Sequence, residues 1–257
     1  YIALGGVIYI GDRNAGKTNL AWELTNSNCN HVRVTSALLD YDVLKQRLYD
    51  PDGGTTTPTG DDIAVQPESL EVQVRLIRGW KTFSSAWLDT PGGIWRSHWQ
   101  SANPEKWRLF LDAIQDTEGI LLILPPYREI INPRADDPNN HITREQWARR
   151  FDKWIQFFRY DCPKVRHLLL CLNKVDLCLG RYENEAVELA YSPHYQKKNW
   201  HEKHEYVFSR YFTPFHDQIN QLNKSIDGLS VRCFITTIKD RDLLELPWIY
   251  LGCHLGK

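Results

Sequence analysis

The sequence contains no methionine, no long apolar run and no run of basic residues. A chain of 257 residues that lacks Met and begins with Tyr1 is expected for an interior fragment of a longer protein, or for a sequence in which selenomethionine was not transcribed. The longest apolar segment, Gly119–Leu124, is bounded by Pro125 and Pro126 and is far shorter than the roughly 20 residues that cross a bilayer. It predicts a buried parallel strand, and we expect no membrane span.

The charge balance gives no sign of sequence-independent nucleic-acid binding, and the cysteine content gives no sign of a metal-binding or redox Cys-x-x-Cys pair. The chain has 31 Lys and Arg against 32 Asp and Glu, so it lacks the excess basic charge of sequence-independent nucleic-acid binding, although a local basic face is compatible with that balance. Its six cysteines include no Cys-x-x-Cys pair, which favours reduced core residues of a cytoplasmic protein. His201-Glu202-Lys203-His204 is one residue short of the H-E-x-x-H zinc motif, and its charged surroundings favour a solvated helix face.

A phosphate-binding motif is present near the start of the sequence. An apolar run ending at Ile10 leads into Gly11-Asp12-Arg13-Asn14-Ala15-Gly16-Lys17-Thr18, which has the spacing G-x-x-x-x-G-K-[ST]. The glycines let successive N–H groups from Asp12 to Thr18 point at phosphate oxygens, and the helix predicted over residues 18–24 adds its positive end. Lys17 would reach the outer phosphates and the Thr18 hydroxyl would ligate Mg²⁺; the alternative is a glycine turn without a ligand.

Two more motifs follow predicted strands. The strand predicted over residues 82–88 ends at Asp89-Thr90-Pro91-Gly92, a D-x-x-G pattern in which Asp89 would hold Mg²⁺ through water and the Gly92 N–H would face the terminal phosphate. The strand predicted over His167–Leu172 ends at Asn173-Lys174-Val175-Asp176, an N-K-x-D pattern. Asp176 can accept hydrogen bonds from N1–H and the 2-amino group of guanine. ATP would leave a buried Asp176 unpaired, at a cost of about 1–3 kcal/mol.

With these three motifs in this order, the chain resembles GTPases of the Ras-like, translation-factor-related class of P-loop proteins, from Val7 to about Lys239. The resemblance implies an α/β fold with a mostly parallel sheet, one antiparallel edge strand and helices on both faces. It also implies a molecular switch that binds GTP or GDP with Mg²⁺. We expect a single domain over residues 1–257, with insertions near 40–66, 125–142 and 179–200.

The same resemblance assigns two weaker elements. Thr59, after Pro58, would be the first-switch threonine that closes over Mg²⁺ and the terminal phosphate, and Thr55, Thr56 or Thr57 could serve instead. Thr237 and Ile238 lie in a segment similar to the T-S-A-K loop, so their backbone would contact the base; a plain buried strand over residues 231–238 is the alternative. The catalytic group would comprise Lys17, Asn14, Thr59 and Gly92.

Departures from the family pattern predict slow hydrolysis. Gly93 stands where Ras-like enzymes place the glutamine that orients the attacking water. Candidates to replace that glutamine include His98 and Arg96; the alternative is that both are solvated loop residues. The loop resembles that of Era- and TrmE-like GTPases, in which an asparagine at the position of Asn14 helps to bind a potassium ion that replaces an arginine finger. Alternatively, Asn14 bonds only to its own backbone. Arg13 either stabilises charge near the terminal phosphate or points into solvent.

The predicted partner surfaces are aromatic. The segment that follows the D-x-x-G motif is the second switch in the family that this chain resembles. In or just after it lie Trp95, Trp99 and Trp107, which are either anchors for a nucleotide-dependent protein partner or core residues. A neighbouring domain could also cover the apolar segment at residues 243–251. The long insertions suit a module of a larger system, such as a bacterial GTPase of the double-GTPase kind.

Overall fold

The structure, a computed structural model, describes residues 6–11, 15–35, 68–87, 97–225 and 228–255 of the chain. Its strands, in chain order, are β1 (Val7–Gly11), β2 (Val32–Thr35), β3 (Glu68–Leu76), β4 (Gly79–Trp87), β5 (Gly119–Leu124), β6 (His167–Leu172) and β7 (Ser230–Ile235). They form one sheet with the order β2-β3-β4-β1-β5-β6-β7.

One strand of the sheet runs against the rest. β3 is antiparallel to both β2 and β4, whereas the other neighbouring pairs are parallel. This confirms the predicted α/β fold with a mostly parallel sheet and an antiparallel strand at one end. The outermost position at that end belongs to β2, a strand of four residues in a polar stretch that the sequence analysis does not predict.

Helices connect the strands. In chain order they are α1 (Lys17–Leu24), α2 (Ser97–Ala102), α3 (Pro104–Ile114), α4 (Arg144–Asp161), α5 (Tyr182–Leu189), α6 (Trp200–Val207), α7 (His216–Ser225) and α8 (Arg241–Leu255). Short 3₁₀ turns cover Arg128–Ile130, Pro138–Asn140, Val175–Leu177 and Thr213–Phe215, and a π-helical turn covers Phe208–Phe212. The sequence also predicts a helix near residues 206–223; in the structure this region is divided among the end of α6, the π-helical turn, the last 3₁₀ turn and α7.

Both faces of the sheet are covered. Tyr9 of β1 and Leu121 of β5 line a small cavity with Trp248 of α8, so these odd-numbered residues face the layer formed by α1 and α8. Even-numbered residues such as Leu122 and Leu170 point to the opposite face and are 0% exposed. Helices α3, α4 and α7 form the second layer. Phe110 of α3 stacks on Phe157 of α4, and Phe151 of α4 contacts Phe215 in the 3₁₀ turn that leads into α7.

Elements with strong local signals match their predictions. The strands Gly119–Leu124 and His167–Leu172 have the predicted bounds. Thr143 caps α4 through a capping box, in which its hydroxyl accepts from the Gln146 N–H at 3.2 Å and Gln146 Oε1 accepts from the Thr143 N–H at 3.0 Å. The short segment Arg78-Gly79-Trp80-Lys81 between strands predicted over residues 70–77 and 82–88 indicates a hairpin. β3 and β4 form that hairpin, with Leu76 paired to Gly79 across its turn.

One open alternative is decided here and one expectation is corrected. Trp99 is 5% exposed, and Trp107 is partly buried and packs on Phe110, so the core alternative holds for these two tryptophans; Trp95 lies outside the described residues. Lys203 and His204 are buried, so a solvated helix face is wrong for that half of the segment. Within the described ranges no group of three or more His, Cys, Asp or Glu could hold a metal ion. None of the described helices is both long and apolar enough to cross a bilayer.

Candidate nucleotide-binding site

The phosphate loop lies where β1 ends and α1 begins. Gly16 adopts the left-handed conformation, with φ 80° and ψ 24°, directly before the first residue of the helix. The Lys17 ammonium donates a hydrogen bond of 3.1 Å to the Gly11 carbonyl, so this buried side chain folds back across the loop. Thr18 is partly buried in the first turn of α1, where main-chain N–H groups have no intrahelical acceptor. The described part of the loop therefore has the shape of an anion site.

The second loop follows β6. Asn173 is 3% exposed, and Lys174 adopts the left-handed conformation with φ 61°. Among the described residues, no other non-glycine residue has a positive φ. Asp176 lies in the 3₁₀ turn that follows, and its side chain is 9% exposed. This turn directs the carboxylate toward the loop after β7 rather than into solvent.

Asn173 joins this loop to the phosphate loop. Its Nδ2 donates a hydrogen bond of 2.7 Å to the Ala15 carbonyl, and its Oδ1 accepts one of 3.2 Å from the Thr236 hydroxyl. A Cβ on Gly16 would lie 2.7 Å from Asn173 Nδ2 and 3.4 Å from Lys174 Cε. The two motifs, which are about 160 residues apart in sequence, are therefore in direct contact.

The Asp176 carboxylate has two partners in the loop after β7. Its Oδ1 accepts from the Thr237 hydroxyl at 2.6 Å, and its Oδ2 lies 2.7 Å from the Lys239 ammonium. The hydrogen bond and charge of Asp176 raise the pKa of Lys239. An ionised carboxylate has about four acceptor positions, so two remain for the pair of donors on the guanine edge. Asp176 therefore fits the predicted ligand chemically.

The segment after β7 has the first of its two predicted forms. β7 ends at Ile235, so residues 236–239 form a loop at the carboxyl end of the sheet, as the T-S-A-K resemblance implies, and the alternative of a strand through residue 238 is wrong. Thr236 and Thr237 are buried, whereas Ile238 is 44% exposed. Sequence reasoning missed Thr236 and Lys239 as site residues. The lysine that closes the T-S-A-K-like segment was the signal that could have found Lys239.

The structure brings together nine of the predicted site residues at one edge of the sheet. They are Ala15, Gly16, Lys17, Thr18, Asn173, Lys174, Asp176, Thr237 and Ile238. Six others lie outside the described residues, namely Asp12, Arg13, Asn14, Thr59, Asp89 and Gly92. The alternatives Gly93 and Arg96 also lie outside them, and His98 is an exposed residue of α2.

Of the predicted magnesium ligands, only Thr18 belongs to the described part of the chain. A hydroxyl at the start of a helix that follows a phosphate loop suits Mg²⁺, which binds through few protein oxygens together with phosphate oxygens and water. The donor type and position of Thr18 therefore fit the ion. The contributions of Thr59 and Asp89 remain predictions.

Comparisons with known proteins give distant structural similarities. No protein-family model matches the sequence, and no curated protein is significantly similar to it. A GTP-binding protein of Sulfolobus solfataricus in complex with GDP is similar over 95% of this chain, with 12% identity and a TM-score of 0.40. This chain spans only 50% of that protein.

Two further solved structures are similar at the same level. An ADP-ribosylation-factor-like small COPII coat GTPase of Encephalitozoon cuniculi, in complex with GDP, matches 97% of this chain and 77% of its own length, with 12% identity and a TM-score of 0.38. A probable GTP-binding protein engB matches 93% of this chain and 92% of its own, with 13% identity and a TM-score of 0.34. The strand order and loops of this chain, rather than these similarities, define its α/β P-loop fold.

Proposed function

We propose that this chain is a GTP-binding switch protein that hydrolyses GTP slowly. One observation supports it above the others: Asn173 ties the N-K-x-D loop to the phosphate loop, so that Asp176 and the N-terminus of α1 belong to a single site. A guanine nucleotide needs a carboxylate to bind its base and main-chain N–H groups to bind its phosphates, and this site has both.

The proposed chemistry is attack of water on the terminal phosphate. Lys17 and the Mg²⁺ ion held by Thr18, Thr59 and Asp89 would stabilise the developing charge. Gly93 has no side chain to orient the water, which is why we expect slow turnover. A potassium ion bound by Asn14, or a protein partner, would supply the missing stabilisation.

A second candidate function is a GTP- or GDP-binding interaction module with little or no turnover. Gly93 favours it, because a site without a water-orienting residue can bind nucleotide without hydrolysing it. A protein effector or a neighbouring domain would then recognise the nucleotide-dependent conformation of the switch segments.

The first experiment compares GTP and ATP as ligands. We expect Asp176→Asn to weaken GTP binding about tenfold to a hundredfold, because an amide cannot accept both guanine donors. ATP binding should change little. Asp217→Asn is the matched control, since the Asp217 side chain is 98% exposed on α7. Equal affinity of the parent for GTP and ATP would contradict the guanine assignment.

The second experiment measures phosphate release from GTP in potassium and then in sodium buffer. Faster release in potassium, lost in Asn14→Ala, would support the cation-assisted switch. Release that is identical in both buffers would remove the role of potassium. Tight GTP binding without release would select the interaction module. Lys17→Ala should lose most nucleotide affinity, and unchanged binding by that variant would contradict the phosphate-loop assignment.

A further inference from the structure

The turn of the β3-β4 hairpin exposes apolar side chains. Ile77, in the turn itself, is 66% exposed, and Trp80, the second residue of β4, is 41% exposed. Turns favour Gly, Pro, Asn, Asp and Ser, so a β-branched Ile gains nothing there from the local backbone. Because Ile77 is exposed, it also does not pack in the hydrophobic core. These two residues therefore need an explanation outside the packing of this domain.

Arginines surround the same turn. Arg33, Arg75 and Arg78 are exposed, and the guanidinium carbon of Arg33 lies 4.3 Å from the centroid of the Trp80 ring. No carboxylate of the described residues forms an ion pair with any of these three arginines. In a chain whose net charge is −1, this is a local concentration of positive charge beside apolar groups. We refer to Arg33 and residues 75–80 as the hairpin tip.

The hairpin tip lies at the edge of the sheet opposite the nucleotide loops. β4 begins at Gly79, beside the turn, and runs parallel to β1, which ends at Gly11 in the phosphate loop. The start of β4 and the end of β1 therefore lie at opposite edges. A partner bound at the hairpin tip would leave the nucleotide loops accessible.

We propose that the hairpin tip binds a lipid surface that carries anionic headgroups. An exposed Ile and a Trp can enter the interfacial region of a bilayer, where Trp is enriched. Arginines at the same depth attract anionic headgroups. Single-stranded nucleic acid would use the arginines and Trp80 but has no need for Ile77. The combination of an apolar turn with unpaired cations thus favours a lipid surface, and the proposal does not depend on nucleotide binding.

The test is sedimentation of the protein with vesicles of phosphatidylcholine alone or mixed with phosphatidylserine. We expect the parent to bind the mixed vesicles more strongly, and this preference should weaken as salt rises. Ile77→Ser should lower the partition coefficient about tenfold, because it removes an apolar side chain from the bilayer. Arg78→Ser should lower it about fivefold on mixed vesicles only.

Two control variants match these changes away from the tip. Val187 is a β-branched residue on α5 that is 67% exposed, so Val187→Ser matches Ile77→Ser. Arg108, exposed on α3, gives the charge control Arg108→Ser. Both should bind vesicles like the parent. Absence of parent binding to mixed vesicles would overturn the proposal, and so would equal losses in the control variants.

Nucleic acid is the alternative outcome. If a single-stranded oligonucleotide binds the parent, loses affinity in Arg78→Ser and is unaffected by Ile77→Ser, while vesicles do not bind, the hairpin tip is a nucleic-acid surface and the lipid proposal is wrong. Thermal unfolding of each variant should match that of the parent, because every substituted side chain is exposed.

Discussion

The Asn173 side chain donates a hydrogen bond of 2.7 Å to the main-chain carbonyl of Ala15. Because its carbonyl oxygen also accepts from Thr236, this buried amide connects the phosphate loop with the ends of β6 and β7. Together with the pairing of β1, β5 and β6 in the sheet, this side chain fixes the distance between the N-terminus of α1 and the Asp176 carboxylate. That distance has to match a single nucleotide.

We predict that Asn173→Ala lowers the free energy of unfolding by about 1–3 kcal/mol and weakens nucleotide binding as well. The substitution leaves the Ala15 carbonyl without its donor and frees the two loops from each other. Urea unfolding and titration with a fluorescent GDP analogue would measure the two effects. Thr236→Val, which keeps the side-chain shape and removes only the second bond, should cost about 1 kcal/mol. Parental nucleotide affinity in Asn173→Ala would contradict the positioning role.

Gly16→Ala should abolish most nucleotide binding. A left-handed alanine costs about 1–2 kcal/mol, and the new Cβ would lie 2.7 Å from Asn173 Nδ2, which must then move. Gly228→Ala separates these two effects, because Gly228 has a similar φ of 75° with no atom within 4 Å of its Cβ position. We expect both variants to lose similar stability from backbone strain, measured by thermal unfolding. If Gly228→Ala impairs nucleotide binding as strongly, the contact with Asn173 is not the cause.

The parts of the fold that could be predicted carry strong local signals. Strand β5 is an apolar run ended by two prolines, and α4 begins with a Thr143–Gln146 capping box. Residues within one element supply such signals. The residue spacing within the motifs after β1 and β6 likewise predicts which residue types meet at the carboxyl edge of the sheet.

Other features depend on contacts between distant segments. β2 alternates Val32-Arg33-Val34-Thr35, but a segment of four residues is too short for this alternation to predict a strand, and its hydrogen bonds come from β3. The hydrogen bond between Asn173 and Ala15 could be predicted only if the relative positions of the two loops were known. His204 is buried although its neighbours in sequence are charged, because α6 packs against β7. Secondary-structure propensity and hydrophobic periodicity do not predict these tertiary contacts.

A buried ion pair on α8 holds the start of β2, and we predict that Glu245→Ala destabilises the fold by about 3–5 kcal/mol. Glu245 is 0% exposed and accepts from the main-chain N–H groups of Asn30, His31 and Val32 at 3.0, 2.6 and 3.1 Å. Its Oε1 also accepts from Arg241 Nε at 2.6 Å. Truncation would leave the guanidinium and three N–H groups without this acceptor.

An exposed pair of the same spacing provides the control for Glu245. Arg149 and Glu145 are also four residues apart on a helix, and both side chains are 74% exposed. Glu145→Ala should therefore change the free energy of unfolding by about 0.5 kcal/mol or less. Chemical denaturation of both variants measures the difference. Similar small losses at the two positions would show that the contacts of Glu245 contribute little.

The final prediction concerns acid stability and the edge of β7. His204 Nδ1 accepts a hydrogen bond of 3.0 Å from the Cys233 N–H, and burial, with the nearby charge of Arg232, lowers the pKa of His204 to about 4. An unfolded His titrates near pH 6.5, so between about pH 6.5 and 4 the unfolded chain binds a proton that the folded chain does not. The free energy of unfolding should therefore fall as the pH is lowered through this window, by up to about 3 kcal/mol from His204.

His204→Gln removes this titration while keeping a side-chain acceptor near β7. The variant should lose less stability than the parent between pH 6.5 and 4, whatever its stability at neutral pH, because glutamine takes up no proton. His201→Gln changes an exposed residue of the same helix and is the matched control substitution. Burial also lowers the pKa of His167 to about 4, so part of the acid sensitivity should persist in His204→Gln. Urea unfolding at a series of pH values gives the three slopes, and a parental slope in His204→Gln would show that the imidazole is not neutral in the folded protein.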